Sequence, residues 1–561
     1  MRVIRSNRNW TELRWTIAEY DTDSEVIEAT LDELGVIPGV RIERGTEWIS
    51  VRAPRSVWGV PEFKRLAPTV KRPRIKPWAP RRPLYPHQLD AVDFLTRNHG
   101  GLLGDQMGLG KTASAIVALE TLARATDPKR PRIILAPGYT RDVWRRELLA
   151  LGAIDNEDQF TYALTRDWVK RGFDWAARWW FVHYDIAHAW AGALGGTVRR
   201  PVGAILDEIH WIKNGRAQRS RGANLIAGTA TYRIGLSGTP IDNRTSELWW
   251  PLTVLDGPRS WGSPVEFRER YCGAYHDIYG LRDTGPTNTD ELDRRLRRRY
   301  LRRTIESAGV ELPPIRRELL RVPMDAKALE AHALSPETAK RLVDAVLGRR
   351  AGQDTLALIG RLRKTTSRAK LESTAALVTA AALSGESVVV FTWMRATAAT
   401  LERKVAKALI AAKADVPTYT VDGTLTHDER DAVVQALTTH GEDPALLFAT
   451  LDSLREGVTL TKATRVVMHD LDWVPSKILQ AEARIWRIGQ TRPCTSTWVV
   501  CEDSIDSMLA AALASKAEEM DQALGFSAAK DAVLDLDLGR WAASRSSVED
   551  ELARLIDSWE M

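Results

Sequence analysis

The sequence predicts an α/β protein with two parallel-sheet lobes in tandem, helical insertions, and a small N-terminal α+β module. Three observations predict this fold. The 561 residues are too many for one hydrophobic core. Short apolar runs alternate with amphipathic helical stretches from about residue 84 to 250, and again from about residue 385 to 503. A glycine-rich loop separates the first apolar run from a helical stretch, as in the strand–loop–helix units of parallel sheets.

The N-terminal module is predicted over residues 1–62. LRWTIAEY alternates like a strand, DSEVIEATLDELG has the pattern of a capped helix, and a hairpin pattern follows about Gly45. Residues 63–83 form a basic, proline-rich linker without an acidic residue, which prolines keep extended. This linker is either solvated or a strap lying on phosphates, and its candidate contacts are Lys71, Arg72 and Arg74.

The two lobes are predicted from their apolar runs. The first lobe covers residues 84–250, with strands in GGLLGD, PRIILAP, WWFVHY and VGAILDE. Residues 251–325 are predicted as a helical, arginine-rich insertion, and residues 326–384 as a helical region leading into the second lobe. The second lobe covers residues 385–503, with strands in ESVVVFTW, PTYTVDG, ALLFAT, TRVVMHD and TSTWVVC. Residues 504–561 are predicted to be helical.

Composition and charge exclude several classes of protein. The three cysteines form no disulfide framework and no C-x-x-C zinc pair, which favours a reducing compartment. The polar N-terminus lacks an apolar core, and the sequence has no long apolar run, so a soluble protein of the cell interior is expected. The formal net charge of +6 is modest but unevenly spread.

The stretch GLLGDQMGLGKT, residues 101–112, has the character of a phosphate-binding loop. The strict pattern G-x-x-x-x-G-K-[ST] fails at its first position, which holds Asp105. Gly108 and Gly110 allow the backbone to curl around anionic oxygens, and Lys111 and Thr112 complete the site. Because an apolar strand precedes the loop and a helix follows it, the loop predicts a nucleotide site. The alternative is a glycine-rich turn.

An acidic pair after another predicted strand supplies the second half of this site. GAILDEIH, residues 203–210, puts Asp207 and Glu208 at the carboxyl edge of a sheet, where ligands bind in such folds. Asp207 can hold Mg²⁺ through water, and Glu208 can orient and deprotonate the attacking water. An isolated D-E-x-H is a weak signal, but its position after a strand strengthens the prediction.

Five segments then occur in one order within residues 84–510: Gln88, DQMGLGKT, LDEIHWIKN, LSGTPIDNRTSELW and QAEARIWRIGQTRP. This series resembles superfamily 2 helicases, and more narrowly the Swi/Snf-type DNA translocases in their compact, annealing-helicase-like branch. The resemblance implies two RecA-like lobes, ATP and Mg²⁺ as cofactors, and a nucleic-acid-dependent ATPase that translocates on DNA. Duplex or forked DNA is favoured, in fork remodelling, recombination, repair or replication. The alternatives are a strand-separating DNA or RNA helicase, and an ATP-gated DNA-binding scaffold with little turnover.

The resemblance also implies a role for each matching residue. Gln88, with Tyr85 nearby, would contact the adenine, while Lys111 would contact the phosphates and Thr112 would ligate Mg²⁺. Arg484 and Arg487, three residues apart on one helical face, would act as arginine fingers from the second lobe. With Lys111 and Glu208 they form the catalytic set. The other implied residues are the loop positions Asp105, Gly108, Leu109 and Gly110, and the coupling positions His210, Ser237, Gly238, Thr239, Gly457 and Gln480.

Contacts with nucleic acid are predicted across the tops of both lobes, because such motors grip the phosphate backbone. The candidates are Pro137, Lys213, Asn214 and Arg395. Replication or recombination proteins are expected as partners. A monomer would suffice, since the arginine fingers lie in the same chain. The expected location is the cytoplasm of a bacterium or of a virus-infected cell, or the nucleus of a eukaryote.

The sequence departs from the family pattern at four places. Gln106, Ile209 and Trp486 replace the usual glutamate, alanine and histidine. The larger departure is Leu454-Arg455, where the family usually has a glycine pair shortly before Gly457. Because this segment normally contacts both nucleic acid and the ATP site, coupling or strand preference is expected to differ here.

Overall fold

The computed structural model describes residues 2–6, 10–16, 41–44, 48–54, 75–324, 353–439, 443–454 and 458–524, apart from 169, 171, 196–199, 240, 242–243, 258–259, 278–279, 298, 473 and 503. Residues 1–76 with 256–263 form one compact unit, and residues 77–255 with 264–561 form the other. Lys71, Arg72, Arg74 and Gly457 lie outside the described residues.

The first unit contains a four-stranded antiparallel sheet in the order β1-β2-β4-β3. The hairpin expected about Gly45 is present, since β3 and β4 pair antiparallel with Arg44 opposite Ile49. The helix expected at residues 23–35 lies outside the described residues. The strands are β1 (Arg2–Ser6), β2 (Trp10–Thr16), β3 (Arg41–Arg44) and β4 (Trp48–Pro54).

The first lobe of the second unit is built on a seven-stranded sheet whose neighbouring strands are all parallel. All four strands expected from the sequence are present, and β7, β10 and β13 were not expected. The order is β13-β5-β10-β9-β6-β8-β7, with β5 (Gly100–Leu103), β6 (Arg132–Ala136), β7 (Phe160–Ala163), β8 (Trp179–His183), β9 (Gly203–Leu206), β10 (Tyr232–Leu236) and β13 (Tyr300–Leu301).

Helices and one hairpin surround this sheet. Helix α2 follows the glycine-rich loop, and its buried face runs from Ala113 to Ala123. The helices of this part of the described chain are α1 (Pro86–Arg97), α2 (Lys111–Thr126), α3 (Arg141–Leu151), α4 (Ala187–Gly195), α5 (Gln218–Thr229), α6 (Trp249–Asp256), α7 (Pro264–Tyr271) and α8 (Thr289–Leu296), and the hairpin is β11 (Tyr275–Asp277) with β12 (Gly280–Arg282).

The second lobe is built on a six-stranded sheet, again parallel throughout. Its core packs Val388, Val390, Phe448 and Val467 of the central strands against Leu401 and other apolar residues of α11. The strand order is β14-β19-β18-β15-β17-β16, with β14 (Ile315–Val322), β15 (Val388–Thr392), β16 (Thr418–Val421), β17 (Leu446–Thr450), β18 (Arg465–Met468) and β19 (Cys494–Cys501). The helices of this lobe are α9 (Gln353–Ala369), α10 (Leu371–Leu383), α11 (Arg395–Ala411), α12 (His427–Thr439), α13 (Pro475–Ile485) and α14 (Ile505–Leu524).

The prediction of two tandem parallel-sheet lobes is confirmed. The prediction of a helical insertion at 251–325 is wrong in part, because this stretch gives β13 to the first sheet and β14 to the second. Tyr300 and Leu301 supply only two residues of strand inside an arginine run, and β14 has four charged residues among its eight without a regular alternation. The second sheet therefore begins at Ile315, well before residue 385.

Helix α14 joins the lobes from the other end of the chain. It packs against α9 and β19 of the second lobe and also against α8 of the first. Within the described part of the chain, no helix combines the length and the apolar character that a membrane span requires.

Candidate nucleotide-binding site

The glycine-rich loop runs from the end of β5 to the start of α2. Gly108 and Gly110 both have a positive φ, of 91° and 74°. A Cβ at Gly110 would lie 2.3 Å from Nε2 of Gln88, and a Cβ at Gly108 would lie 3.0 Å from Cβ of Arg487. Glycine is therefore needed twice here, for the backbone conformation and for the close approach of a side chain from each lobe.

Lys111 begins α2 and points back into this loop. Its Nζ donates to the carbonyl oxygen of Asp105 at 2.7 Å and to that of Gln106 at 3.4 Å. Burial lowers the pKa of the Lys111 ammonium, while the charges of Glu208, Asp105 and Asp207 act to raise it. A half-buried ammonium that donates to carbonyl oxygens can exchange those bonds for phosphate oxygens.

Asp105 departs from the role predicted for it, since its carboxylate is engaged by Arg303. The guanidinium of Arg303 donates to both carboxylate oxygens, at 2.6 and 3.1 Å, and the Asp105 side chain is 3% exposed. Next to it, the Gln106 side chain accepts the N–H of Ile305 at 3.0 Å. The residue that breaks the strict loop pattern thus anchors the loop to the segment between the two sheets. Only its backbone carbonyl reaches Lys111.

Asp207 lies at the carboxyl end of β9, as the sequence predicts. Trp144 donates its indole N–H to Oδ2 of Asp207 at 2.8 Å, and the backbone N–H of Glu208 donates to Oδ1 at 3.1 Å. Burial, followed by the charge of Glu208, raises the pKa of Asp207 to about 7, while the bond from Trp144 acts in the opposite direction. The carboxylate is therefore oriented by two donors but short of positive charge.

Glu208 has an unusual backbone conformation and a carboxylate oxygen that lacks a hydrogen bond among the described residues. Its φ of 45° lies in the left-handed region, which for a residue other than glycine costs of order 1–3 kcal/mol. Its Oε2 is buried without a hydrogen bond among the described residues, although Nδ1 of His210 lies 3.1 Å away. An unsatisfied carboxylate oxygen at a strained position suits a group that holds a reactive water.

The predicted coupling residues continue from this acid towards the loop. His210 Nδ1 lies 3.2 Å from Oγ of Ser237, and the N–H of Thr239 donates to the same Oγ at 3.2 Å. A Cβ at Gly238 would lie 2.7 Å from Cγ of Met107 in the loop and 3.4 Å from Nζ of Lys111. Four of the six predicted coupling residues therefore form a continuous contact path between Glu208 and the loop.

The two predicted arginine fingers belong to the second lobe, with Arg484 in the last turn of α13 and Arg487 just after the helix. Arg484 is 7% exposed, and both arginines donate to the carbonyl oxygen of Val458 at 3.4 Å. The prediction that they share one helical face is wrong, because α13 ends at Ile485 and Arg487 lies beyond it. Trp486 leaves the helical conformation and donates its indole N–H to the carbonyl of Pro313 at 2.7 Å.

One cleft of about 200 Å³ brings the predicted residues of the two lobes together. Its walls come from the glycine-rich loop, the end of β9 and α3 on one side, and from α13 and the residues after it on the other. The predicted residues that line it are Gln88, Gly108, Gly110, Lys111, Thr112, Asp207 and Glu208 from the first lobe and Gln480, Arg484 and Arg487 from the second.

The cleft also includes residues that the sequence did not indicate. Trp144 and Glu147 line it from α3, and Arg82 enters from the end of the basic linker. Arg82 donates two hydrogen bonds to the carboxylate of Glu147, at 2.8 and 3.4 Å. Burial lowers the pKa of Arg487, and the negative charge of Glu147 acts in the opposite direction. The contacts of Trp144 and Glu147 join positions 63 and 65 residues apart, so no local sequence pattern indicated them.

The remaining predicted nucleotide residues lie at the edge of the cleft. Tyr85 is 52% exposed, and its ring stacks on His87 with centroids 5.8 Å apart. Leu109 is buried, and its carbonyl oxygen accepts from Nε2 of Gln88 at 3.3 Å and lies 2.9 Å from Nε2 of His87. His87 is a further contact of the loop that the sequence prediction missed.

The predicted nucleic-acid contacts differ in their accessibility. Asn214 and Arg395 are exposed, and Lys213 is half-buried with its ammonium 3.0 Å from Glu247. Pro137 is buried at the end of β6, so its ring is not free to contact a phosphate backbone as predicted. A proline in this position ends the strand and sets the course of the partly buried turn that follows.

Two protein-family models match the chain over these same elements. The model described as SNF2-related domain matches residues 12–175 and 193–371, and the model described as helicase conserved C-terminal domain matches residues 369–489. The chain belongs to the SNF2-related family. The second match contains α13 and both arginines, and the first contains the glycine-rich loop and the acidic pair.

Curated relatives of this SNF2-related chain come from animals and bacteria. The "SWI/SNF-related matrix-associated actin-dependent regulator of chromatin subfamily A-like protein 1" of Drosophila melanogaster is 26% identical, covering 78% of this chain and 56% of its own. The "DNA annealing helicase and endonuclease ZRANB3" of Bos taurus is 28% identical over 78% and 40%. The "Putative ATP-dependent helicase/translocase YwqA" of Bacillus subtilis is 26% identical over 79% and 48%. The chain spans about half the length of these relatives.

Among solved structures, the "Sulfolobus solfataricus SWI2/SNF2 ATPase core in complex with dsDNA" is 20% identical to this chain, with a TM-score of 0.39. The match covers 82% of this SNF2-related chain and 96% of that one.

Proposed function

We propose that this chain is an ATP-dependent DNA translocase that uses hydrolysis of Mg²⁺-bound ATP to move on duplex DNA. One observation carries the proposal. A single cleft gathers Lys111 and Glu208 from one parallel sheet and Arg484 and Arg487 from the other. A site divided between two lobes links nucleotide state to lobe position, because a ligand that contacts both sides draws them together.

The residues of the cleft fit the chemistry of phosphoryl transfer to water. Lys111 binds the β- and γ-phosphates, and Arg484 and Arg487 stabilise charge that develops on the γ-phosphate. Glu208 accepts the proton of the attacking water, a role that suits its unsatisfied carboxylate oxygen.

The same cleft fits a magnesium ion. Asp207 and Thr112 line it and offer a carboxylate and a hydroxyl oxygen, the hard ligands that Mg²⁺ prefers. The ion would neutralise phosphate charge when it is bound. Asp207 would hold it through water, and the N–H groups of Trp144 and Glu208 orient that carboxylate.

DNA is proposed as the track on two grounds. The names of two relatives include DNA annealing helicase and helicase/translocase. Asn214 and Arg395 are exposed, one in each lobe, where a phosphate backbone could contact both. We further propose fork remodelling, recombination, repair or replication as the setting, with replication or recombination proteins as partners and a monomer as the working form.

The proposal extends to the organisation and location of the chain. Residues 1–62 would act as an accessory module, with residues 63–83 as the linker to the motor. The proposed location is the cytoplasm of a bacterium or of a virus-infected cell, or the nucleus if the source is eukaryotic.

The test is the ATPase rate of the full chain measured with no polymer, single-stranded DNA, blunt duplex DNA, forked DNA and RNA. Strong stimulation by duplex, and more by forks, supports a duplex translocase that remodels forks. Stimulation only by single strands or RNA would instead indicate a strand-separating helicase, and no turnover with any polymer would indicate an ATP-gated scaffold. Lys111→Ala should lose nucleotide binding and turnover together, which ties the rate to this cleft.

A further inference from the structure

Trp144 donates a hydrogen bond from a separate helix to the predicted magnesium-binding carboxylate at the end of β9. It lies on α3, is 1% exposed, and lines the same cleft as Asp207. Its indole N–H is 2.8 Å from Oδ2 of Asp207, a charge-assisted bond of ordinary length. The bond spans 63 residues of sequence, so it is a tertiary contact and not a by-product of local structure.

The carboxylate of Asp207 has two hydrogen-bond donors among the described residues, and one of them is the indole N–H of Trp144. The other donor, the N–H of Glu208, belongs to a residue held in a left-handed conformation. A carboxylate that holds an ion through water must be oriented before the ion arrives, and donors behind the ligand provide that orientation.

We propose that Trp144 is a positioning residue for the magnesium-binding carboxylate: its indole N–H holds Asp207 in the orientation that receives Mg²⁺ with the nucleotide. The inference rests on the proposed nucleotide site and adds to it a determinant of magnesium affinity. Each carboxylate oxygen has two lone-pair directions, so the bond to the indole leaves Oδ2 with capacity for a water of the ion.

The position of Trp144 gives this bond a second consequence. Trp144 lies one turn into α3, the helix that follows the turn after Pro137, a predicted DNA contact. One turn further along α3, Glu147 pairs with Arg82. A displacement of α3 by a bound polymer would therefore move the donor that orients Asp207.

The chain offers a matched control for removing the N–H. Trp190 on α4 is fully buried, like Trp144, but its indole N–H has no hydrogen-bond partner among the described residues, and it does not line the cleft. Trp144→Phe and Trp190→Phe therefore remove the same atoms from buried sites, and only the first removes a bond. Trp144→His complements them, because imidazole Nε2 occupies the ring position of the indole nitrogen while the benzene ring is lost.

The experiment measures binding of a fluorescent ADP analogue to the full chain at pH 8, across a series of Mg²⁺ concentrations and in EDTA. Trp144→Phe should need about tenfold more Mg²⁺ for half-maximal enhancement of binding, with affinity in EDTA unchanged. Trp190→Phe and Trp144→His should keep the Mg²⁺ requirement of the unmodified chain. Turnover is not needed for this readout.

Three results would overturn the inference: an unchanged Mg²⁺ requirement in Trp144→Phe, an equal rise in Trp190→Phe, or an equal rise in Trp144→His. If Trp144→Phe does not fold, Trp144→His decides alone, because a normal requirement supports the N–H contact and a raised one contradicts it. Failure of the unmodified chain to bind nucleotide would overturn the proposed function as well, which separates the two failures.

Discussion

Two clusters of ionisable side chains in the second unit differ in how their surroundings shift their pKa values. In the nucleotide cleft, burial lowers the pKa of Lys111 and raises that of Asp207 to about 7. In the second lobe, Lys370 of the α9–α10 junction lies 2.8 Å from Asp506 and 3.6 Å from Asp470. Burial acts to lower the pKa of Lys370, but these two carboxylates raise it above its usual value.

We call the second cluster closed, because its charged groups are paired with one another, and the nucleotide cleft open, because burial shifts its charged groups towards their neutral forms. Lys370 also donates to the carbonyl of Val499, and Asp470 accepts the N–H of Trp393. Burial acts to raise the pKa of Asp470, yet its neighbours His469 and Lys370 and that N–H hold it below its usual range. Lys111 and Asp207 are shifted towards their neutral forms, as ionisable groups at ligand sites often are, whereas Lys370 and Asp470 are shifted towards their ionised forms by their mutual contact.

The largest expected effect is on stability, at the closed cluster. Lys370→Met leaves Asp470 and Asp506 buried without their cation, and should lower the free energy of unfolding by about 3–5 kcal/mol. Denaturant titration of the full chain measures this. Lys404→Met is the control, since its partner Glu372 is 82% exposed, and should cost less than about 1 kcal/mol. Equal losses in the two variants would remove the basis of the comparison.

At the open cluster the expected effect is on turnover. Glu208→Gln removes the proposed base and should reduce DNA-stimulated ATP hydrolysis at least about 100-fold while nucleotide remains bound. Steady-state rates and nucleotide binding measured on one preparation separate the two. Glu269→Gln, an exposed change on α7, should leave the rate unaltered. Normal hydrolysis by Glu208→Gln would mean that another group accepts the proton.

Replacing an aspartate with asparagine should change stability with opposite pH dependence in the two clusters. Asp207 has a folded pKa of about 7, above the ~4 of an unfolded chain, so its ionisation costs stability as pH rises through that window. Asp207→Asn should therefore be more stable than the unmodified chain at pH 8. The pKa of Asp470 is lowered, so its contribution is present at pH 8 and lost on acidification. Asp470→Asn should be less stable at pH 8.

Thermal unfolding of the nucleotide-free variants between pH 3 and 8 measures both differences. The gap between Asp207→Asn and the unmodified chain should narrow as pH falls from about 7 and close near ~4, because the folded-state carboxyl group is protonated over this range while that of the unfolded chain still ionises. Shifts of the same sign for both substitutions at pH 8 would contradict the division into open and closed clusters.

The smallest effect is expected where the two kinds of environment meet. Arg303 pairs with Asp105 beside the cleft but satisfies it fully, as in the closed cluster. Arg303→Lys keeps the charge and loses the second bond, so stability should fall by about 1–2 kcal/mol with nucleotide affinity nearly unchanged. Arg297→Lys is the exposed counterpart, paired with Asp293 on the surface, and should have no measurable effect. A large loss of affinity in Arg303→Lys would assign the pair to the open cluster.

The cleft could be predicted from sequence where neighbours in the chain carry the chemistry. The glycine-rich loop and the acidic pair each follow a strand directly, so their local pattern fixes where they stand in the sheet. Trp144 and Arg303 could not be found in this way, because their partners lie 63 and 198 residues away. No periodicity links such positions, and only the folded chain brings them together.

The misjudged strands have a similar cause. β13 is two residues long in an arginine run, and β14 is an edge strand with half of its residues charged and only Val322 buried. Both are strands because a longer neighbour, β5 or β19, offers a free edge. Arginine favours helices when no such partner is considered, so the local signal was helical.

The stretch 302–314 between β13 and β14 is where the described chain passes from one sheet to the other. Fully extended it spans about 45 Å, so it is a linker that limits how far the lobes can separate. Its two ends are anchored differently, because β13 pairs with β5 over two residues, whereas β14 pairs with β19 over eight. When a force pulls the lobes apart, β13 should therefore detach before β14, which lengthens the linker while the rest of both sheets stays intact.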